Sequence, residues 1–247
     1  MTKVNELVKI IKESNNIVFF GGAGVSTASN IPDFRSAQGV FNEKLNRKFT
    51  PEQLVSHTYF VRYTEDFYDF YKDKLIYLEA QPNGCHKALA ELEKMGKVKA
   101  VVTQNIDGLH QMAGSKVVYE LHGSVHRNYC MKCGEFYDAE YVVEQDGIPR
   151  CSKCGGMIKP DVVLYEEGLD DEVVSGAINA ISNADTLIIG GTSLVVYPAA
   201  GLINYFNGKN IVLINKSFTQ ADYKADLIIN DDIAKVMEEA VNIIKGD

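Results

Sequence analysis

Ile17-Val-Phe-Phe-Gly21-Gly22-Ala23-Gly24-Val25-Ser26-Thr27 runs a strand-forming apolar stretch straight into a glycine turn. A strand apolar at every position is the kind that lies in a parallel sheet covered on both faces. Glycines directly after it let bare backbone approach a pyrophosphate, and a following helix N-terminus would favour the anion. Turns of this kind also carry glycines for packing alone, so the stretch by itself leaves both uses open. The usual dinucleotide fingerprint is incomplete. Thr27 stands where the third glycine would be, and no second strand ending in an acid follows about 20 residues on. Ser29-Asn30-Ile31-Pro32-Asp33-Phe34-Arg35 comes instead and is not helix-forming. An ordinary dehydrogenase is therefore disfavoured.

Outward from this stretch the pattern repeats. Short apolar runs at 100–103, 117–119, 186–189, 211–214 and 227–229, each bounded by Gly, Asn or Asp, read as buried strands. Helical periodicity lies between them, at 86–95, 171–181 and 232–244, and again near the start, where Val4, Leu7, Val8 and Ile11 share a face. Alternation of this kind predicts an α/β fold with a Rossmann-like doubly wound parallel sheet. Two stretches break the rhythm: an aromatic-rich segment without strand alternation, read as a helical insertion, and a cysteine-bearing segment. The expected organisation is one unit over 1–247. Its large domain takes 1–35, 79–124 and 160–247, and its small domain takes 36–78 and 125–159. The cleft between them is the natural ligand site.

Cys130-x-x-Cys133 and Cys151-x-x-Cys154 are separated by seventeen residues. That spacing lets two knuckles place four thiolates around one tetrahedral zinc. Four thiolates leave the metal no open position, so a zinc here is structural and the chemistry lies elsewhere. The competing reading is a pair of disulfides, which this spacing and the absence of an export signal disfavour.

Polar residues gather after the predicted strands. Thr103-Gln104-Asn105-Ile106-Asp107 follows one, Leu121-His122-Gly123 another, Gly190-Gly191-Thr192-Ser193 a third, and Asn215 a fourth. Ligands of doubly wound sheets bind at such carboxyl ends. An Asn–Asp pair beside a His can form a polar pocket with a base that titrates near neutrality. A histidine is also commonly structural, and position alone leaves both roles open for His122.

Composition sets the outer limits. The 247 residues are 46% hydrophobic, enough for a full core. No apolar run approaches the about 18 residues of a membrane span, and the N-terminus does not read as a signal peptide. The leftover Cys85 fits a reducing cytoplasm. Lys and Arg number 25 against 33 Asp and Glu, a net charge of −8. That balance disfavours a phosphate-tracking nucleic-acid binder, and a zinc-ribbon nucleic-acid module with it.

Taken together, Gly22-Ala23-Gly24-Val25-Ser26, Ile31-Pro32-Asp33-Phe34-Arg35, Thr103-Gln104-Asn105-Ile106-Asp107, Leu121-His122-Gly123, the four cysteines and Gly191-Thr192-Ser193-Leu194 resemble the sirtuins, the NAD-dependent protein deacylases, in their compact bacterial or archaeal form. The resemblance implies that Ala23, Thr27, Phe34, Arg35, Gln104, Ile106, Asp107, His122, Thr192, Ser193, Asn215 and Ile233 line an NAD site. It further implies that Asn105, Ile106 and Asp107 form the nicotinamide pocket and that His122 is the general base. Val163, Leu164 and Tyr165, with Leu194 and Val195, would grip an acyl-lysine peptide as an added strand. The implied reaction moves the acyl group to ADP-ribose with release of nicotinamide. Mono-ADP-ribosyl transfer to protein by the same glycosidic cleavage is the runner-up. Expected partners are peptide segments of proteins, with no nucleic acid and no membrane, for a monomer in the cytoplasm.

Three departures from the family pattern stand out: Asn30 in place of a usual Gly, Gly21 for a usual Thr, and Glu166 where many relatives have Gly. Asn tolerates a left-handed backbone, so the turn at Asn30 should survive. Gly21 should leave the cofactor loop looser. Members that remove succinyl or malonyl groups pair a Tyr with an Arg three residues later, whereas Tyr68 here is followed at that distance by Tyr71. Acetyl or another neutral acyl group is therefore expected over succinyl.

Overall fold

The computed structural model describes residues 2–33 and 49–246. The strands, in chain order, are β1 (Ile17–Gly21), β2 (Val98–Thr103), β3 (Val118–Glu120), β4 (Gly123–Cys130), β5 (Phe136–Tyr137), β6 (Ile158–Val162), β7 (Thr186–Gly190), β8 (Asn210–Ile214) and β9 (Leu227–Ile229). The helices are α1 (Lys3–Glu13), α2 (Pro51–Leu54), α3 (His57–Arg62), α4 (Thr64–Lys74), α5 (Gly84–Lys94), α6 (Leu109–Ala113), α7 (Ala139–Glu144), α8 (Asp171–Ser182) and α9 (Ile233–Gly246).

Six strands form a parallel sheet in the order β3-β2-β1-β7-β8-β9. β1 and β7 lie side by side from Ile17 opposite Thr186 to Gly21 opposite Gly190, and both are buried at every position. Alternate residues serve the two faces. Ile17 and Phe19 join a core with Leu7 and Ile11 of α1, Leu89 of α5 and Met237 of α9. Val18 and Phe20 join a second core with Ala177 and Ile181 of α8. This is why these strands are apolar throughout. The sheet grows outward in both directions from the β1–β7 pair, which makes that pair the topological switch point.

Local chemistry sets the helix ends. Thr2 caps α1, accepting from the Asn5 amide at 3.2 Å. Asn83 caps α5, accepting from Cys85 N at 2.9 Å, while His86 Nδ1 accepts from Asn83 N at 3.2 Å. The helix therefore starts two residues before the expected His86. At α8, Asp170 accepts from both Glu172 N and Val173 N at 2.9 Å.

A second lobe packs around a third core, in which Phe60, Phe67, Tyr68, Phe70 and Tyr71 meet Val125, Ile158 and Leu164. Phe67 stacks on Tyr71 at 5.6 Å, and Phe60 meets Phe67 edge-on at 5.1 Å. α3 and α4 supply these aromatics and α2 adds Leu54, as expected of the helical insertion over its described part; residues 36–48 lie outside the described residues. The rest of this lobe includes an antiparallel sheet, β5-β4-β6, which the periodicity does not announce. Among the described residues no helix is long and apolar enough to cross a membrane.

Candidate active site

A cleft of about 640 Å³ opens at the carboxyl ends of β1, β2, β7 and β8, between the sheet and the second lobe. That volume suits a cofactor-sized ligand. Its floor is made where two glycine turns meet. Gly24 N donates to Gly191 O at 2.8 Å. Gly191 has φ +59, and a Cβ on it would sit 2.4 Å from Val25 N, so only glycine fits. Ala23–Val25 and Thr27–Ser29 form single 3-10 turns. Asn30 sits at φ +63, the left-handed turn expected of it. The looseness expected at Gly21 is not what the position shows. It is buried in β1, and an added Cβ would lie 2.6 Å from the Phe19 ring.

Asn105 and Asp107 are brought together by a residue that sequence reading did not single out for a role. Ser26 Oγ donates to Asp107 Oδ2 at 2.6 Å and accepts from Asn105 Nδ2 at 3.0 Å. Leu109 N donates to Asp107 Oδ1 at 3.0 Å, and Thr103 Oγ1 accepts from Asn105 N at 3.0 Å. Amide and carboxylate are thus fixed in one orientation, with Ile106 beside them on the wall.

A second network ties three strand ends. Gln104 Nε2 donates to Thr192 Oγ1 at 3.0 Å. Asn215 Oδ1 accepts from Thr192 N and Asn215 Nδ2 donates to Thr192 O, both at 3.1 Å. Thr192 and Asn215 are buried and satisfy one another, with the half-buried Gln104 joining them, which holds the cleft floor in place.

His122 follows β3 and borders the same cleft. Its Nδ1 lies 2.9 Å from Gln104 O. A carbonyl only accepts, so Nδ1 carries the proton and Nε2 keeps a lone pair. Burial lowers the imidazole's pKa below its ordinary value, with the Gln104 carbonyl opposing. Near neutral pH the ring is an unprotonated base.

Val163 N donates to His122 O at 3.0 Å, which brings segment 163–167 alongside the base. Val163, Leu164 and Tyr165 border the cleft, as do Ala23, Thr27, Ser193 and Ile233. Leu194 is buried and held at φ +55, and Val195 is exposed; neither borders the cleft, whereas Val196 and Tyr197 beside them do. Phe34 and Arg35 lie outside the described residues. Tyr68 and Tyr71 are fully buried away from the cleft, the Tyr68 hydroxyl donating to Ile158 O. Val55, Val162 and Leu164 supply apolar wall, and Lys74 and Lys216 also border the cleft, Lys216 paired with Asp232 at 2.8 Å.

The four cysteine Sγ atoms lie within 4.8 Å of one another, with close pairs at 3.4 to 3.6 Å. A disulfide would need about 2.05 Å. Zinc–sulfur bonds of about 2.3 Å in a tetrahedron put sulfurs just under 4 Å apart, so the cluster fits one structural zinc with no open position. Lys132 N donates to Cys130 Sγ at 3.4 Å and the Tyr137 hydroxyl to Cys151 Sγ at 3.1 Å, neighbours that orient the ligands.

Comparison with known proteins bears on the whole chain. The Sir2 family profile matches residues 22–198. An NAD-dependent protein deacetylase of Clostridium perfringens is 71% identical over 241 residues, covering 97% of this chain and 99% of that one. One from Clostridium acetobutylicum is 62% identical over 242 residues, covering 98% and 99%. A solved Sir2 variant with a deacetylated p53 peptide and 3'-O-acetyl ADP ribose superposes with a TM-score of 0.89 at 37% identity over 99% of each chain. The chain belongs to the Sir2 family, the sirtuins.

Proposed function

We propose that the protein is an NAD-dependent protein-lysine deacetylase, moving an acetyl or other neutral acyl group from lysine to ADP-ribose. The observation that carries this is the placement of His122, its Nδ1 bonded to Gln104 O, in the same switch-point cleft as the fixed Ser26–Asn105–Asp107 cluster. Bound NAD supplies a sugar carbon that a weak nucleophile, the amide oxygen, can reach once nicotinamide departs.

The chain's own residues do the rest. Asn105, Ile106 and Asp107 orient the nicotinamide and keep water out, which is positioning rather than covalent work. Gln104, Thr192, Ser193, Asn215 and Ile233, with Ala23 and Thr27, hold the remainder of the dinucleotide, and Phe34 and Arg35 complete that site. His122 Nε2 accepts a proton from a ribose hydroxyl. Val163–Tyr165 and the Leu194–Val195 stretch receive the peptide backbone as an added strand, which gives affinity without demanding sequence. The four-cysteine zinc braces the lobe that forms one cleft wall.

The large domain of this enzyme takes 1–35, 79–124 and 160–247, and the small domain 36–78 and 125–159. It acts as a monomer, in the reducing cytoplasm that the free thiol of Cys85 suits. The test is nicotinamide release that requires both NAD and an acetylated peptide. Release with NAD alone, or none with both, would refute the reading.

A further inference from the structure

Three non-glycine residues among those described have a left-handed backbone, and two of them flank the proposed peptide groove: Glu166 at φ +76 and Leu194 at φ +55. Side chains resist this conformation, and it persists only where the surroundings hold it. Segment 163–167 shows what holds Glu166. Tyr165 is bridged to the α2–α3 connection, its N–H donating to Val55 O at 3.0 Å and its carbonyl accepting from His57 N at 2.9 Å. One residue later Glu166 Oε2 accepts from Thr58 N at 2.8 Å and from Thr58 Oγ1 at 2.7 Å. Glu167 then accepts from His57 Nδ1 and from Leu164 N, both at 2.9 Å. Gly168, next in line, has open space where a side chain would stand.

We propose that Glu166 is a positioning residue for substrate peptide: by gripping Thr58 it latches the peptide-receiving segment to α3 in a left-handed turn. The inference rests on the reading of 163–165 as that segment. The Tyr165 bridge fixes the chain up to the turn, and the carboxylate fixes the turn itself. The groove wall is then set before peptide arrives, so less ordering is needed on binding. The latch acts on peptide affinity, and neither the His122 base nor the dinucleotide floor depends on it.

Steady-state kinetics with an acetyl-lysine peptide at saturating NAD, in wild type, Glu166→Ala, Glu166→Gly and Thr58→Val, tests this. Alanine loses the grip yet still resists the left-handed backbone, so its peptide KM should rise about fivefold, with kcat within about twofold. Glycine also loses the grip but accepts the conformation freely, so it should recover part of that loss. Thr58→Val removes one of the two bonds and should fall between wild type and alanine. The KM for NAD and the thermal midpoint should stay near wild type. Equal KM values in wild type and Glu166→Ala would overturn the proposal. So would equal losses in the alanine and glycine variants confined to peptides with Lys or Arg beside the acyl-lysine, which would mean that the carboxylate acts by charge. In both cases wild-type turnover would leave the deacetylase reading standing; a wild type that releases no nicotinamide would sink both.

Discussion

His122 Nδ1 and the backbone oxygen of Gln104 meet at 2.9 Å, and this one contact decides which ring nitrogen is basic. The carbonyl takes the proton-bearing nitrogen, leaving Nε2 as the acceptor. His122→Ala should lower deacetylation kcat by about 10² to 10⁴, the usual range for removing a general base, with NAD affinity within a few-fold. Because burial depresses the imidazole pKa, the acid limb of kcat/KM should fall below the ordinary histidine value near 6.5. A limb above that value, or an unimpaired alanine variant, would contradict the role.

Ser26 is the hub between an amide and a carboxylate, at 3.0 Å from Asn105 Nδ2 and 2.6 Å from Asp107 Oδ2. Ser26→Ala leaves both partners short of a bond, and Asp107→Asn removes the charge-assisted one. Each should raise the KM for NAD by about tenfold, while the thermal midpoint without NAD changes little. NAD titration by calorimetry checks this, and unchanged affinity in both variants would refute it.

Zinc removal should be felt in the fold. Cys130, Cys133, Cys151 and Cys154 are held as a cluster, and Cys130 and Cys151 are buried in the same core as the α4 aromatics. Cys151→Ser, or a strong chelator, should release about one zinc per chain and lower the thermal midpoint by on the order of 10 °C. A zinc-free protein with an unchanged midpoint would contradict the structural role.

Two buried histidines and the half-buried His122 should make the fold acid-sensitive. Burial lowers the pKa of His86 to about 4, that of His110 well below the ordinary value, and that of His122 in the same direction. The unfolded chain takes up protons near pH 6.5 that the folded chain refuses. Stability is therefore full above pH 6.5 and declines as pH falls below it, for His86 down to about 4. Thermal midpoints at pH 8 and pH 5 test it; equal values would refute it.

Much of this was legible from the chain because the buried strands carry one signal at every position. β1 and β7 are enclosed on both faces, so their residues are apolar throughout, and the polar residues that follow must stand at the sheet's edge. β4 hid because it buries polar residues, Ser124 and Asn128 among them. Asn128 is fully buried and donates to Val125 O at 3.0 Å, and its partner strand carries Pro160, a residue that argues against a strand. Ser26 hid for a different reason: a serine in a turn is ordinary, and its meaning lies in a carboxylate 81 positions away. Glu166 stood out in the sequence as a departure from the family pattern, but its left-handed backbone and its grip on Thr58 emerge only in three dimensions.

Mass spectrometry of the products from an acetyl-lysine peptide and NAD, with a succinyl-lysine peptide alongside, tests the central claim most directly. The account predicts one nicotinamide and one acetylated ADP-ribose for each free lysine formed, with far slower turnover of the succinyl peptide. Free acetate as the first product, ADP-ribose attached to protein with the acetyl group retained, or equal turnover of the two peptides would contradict it.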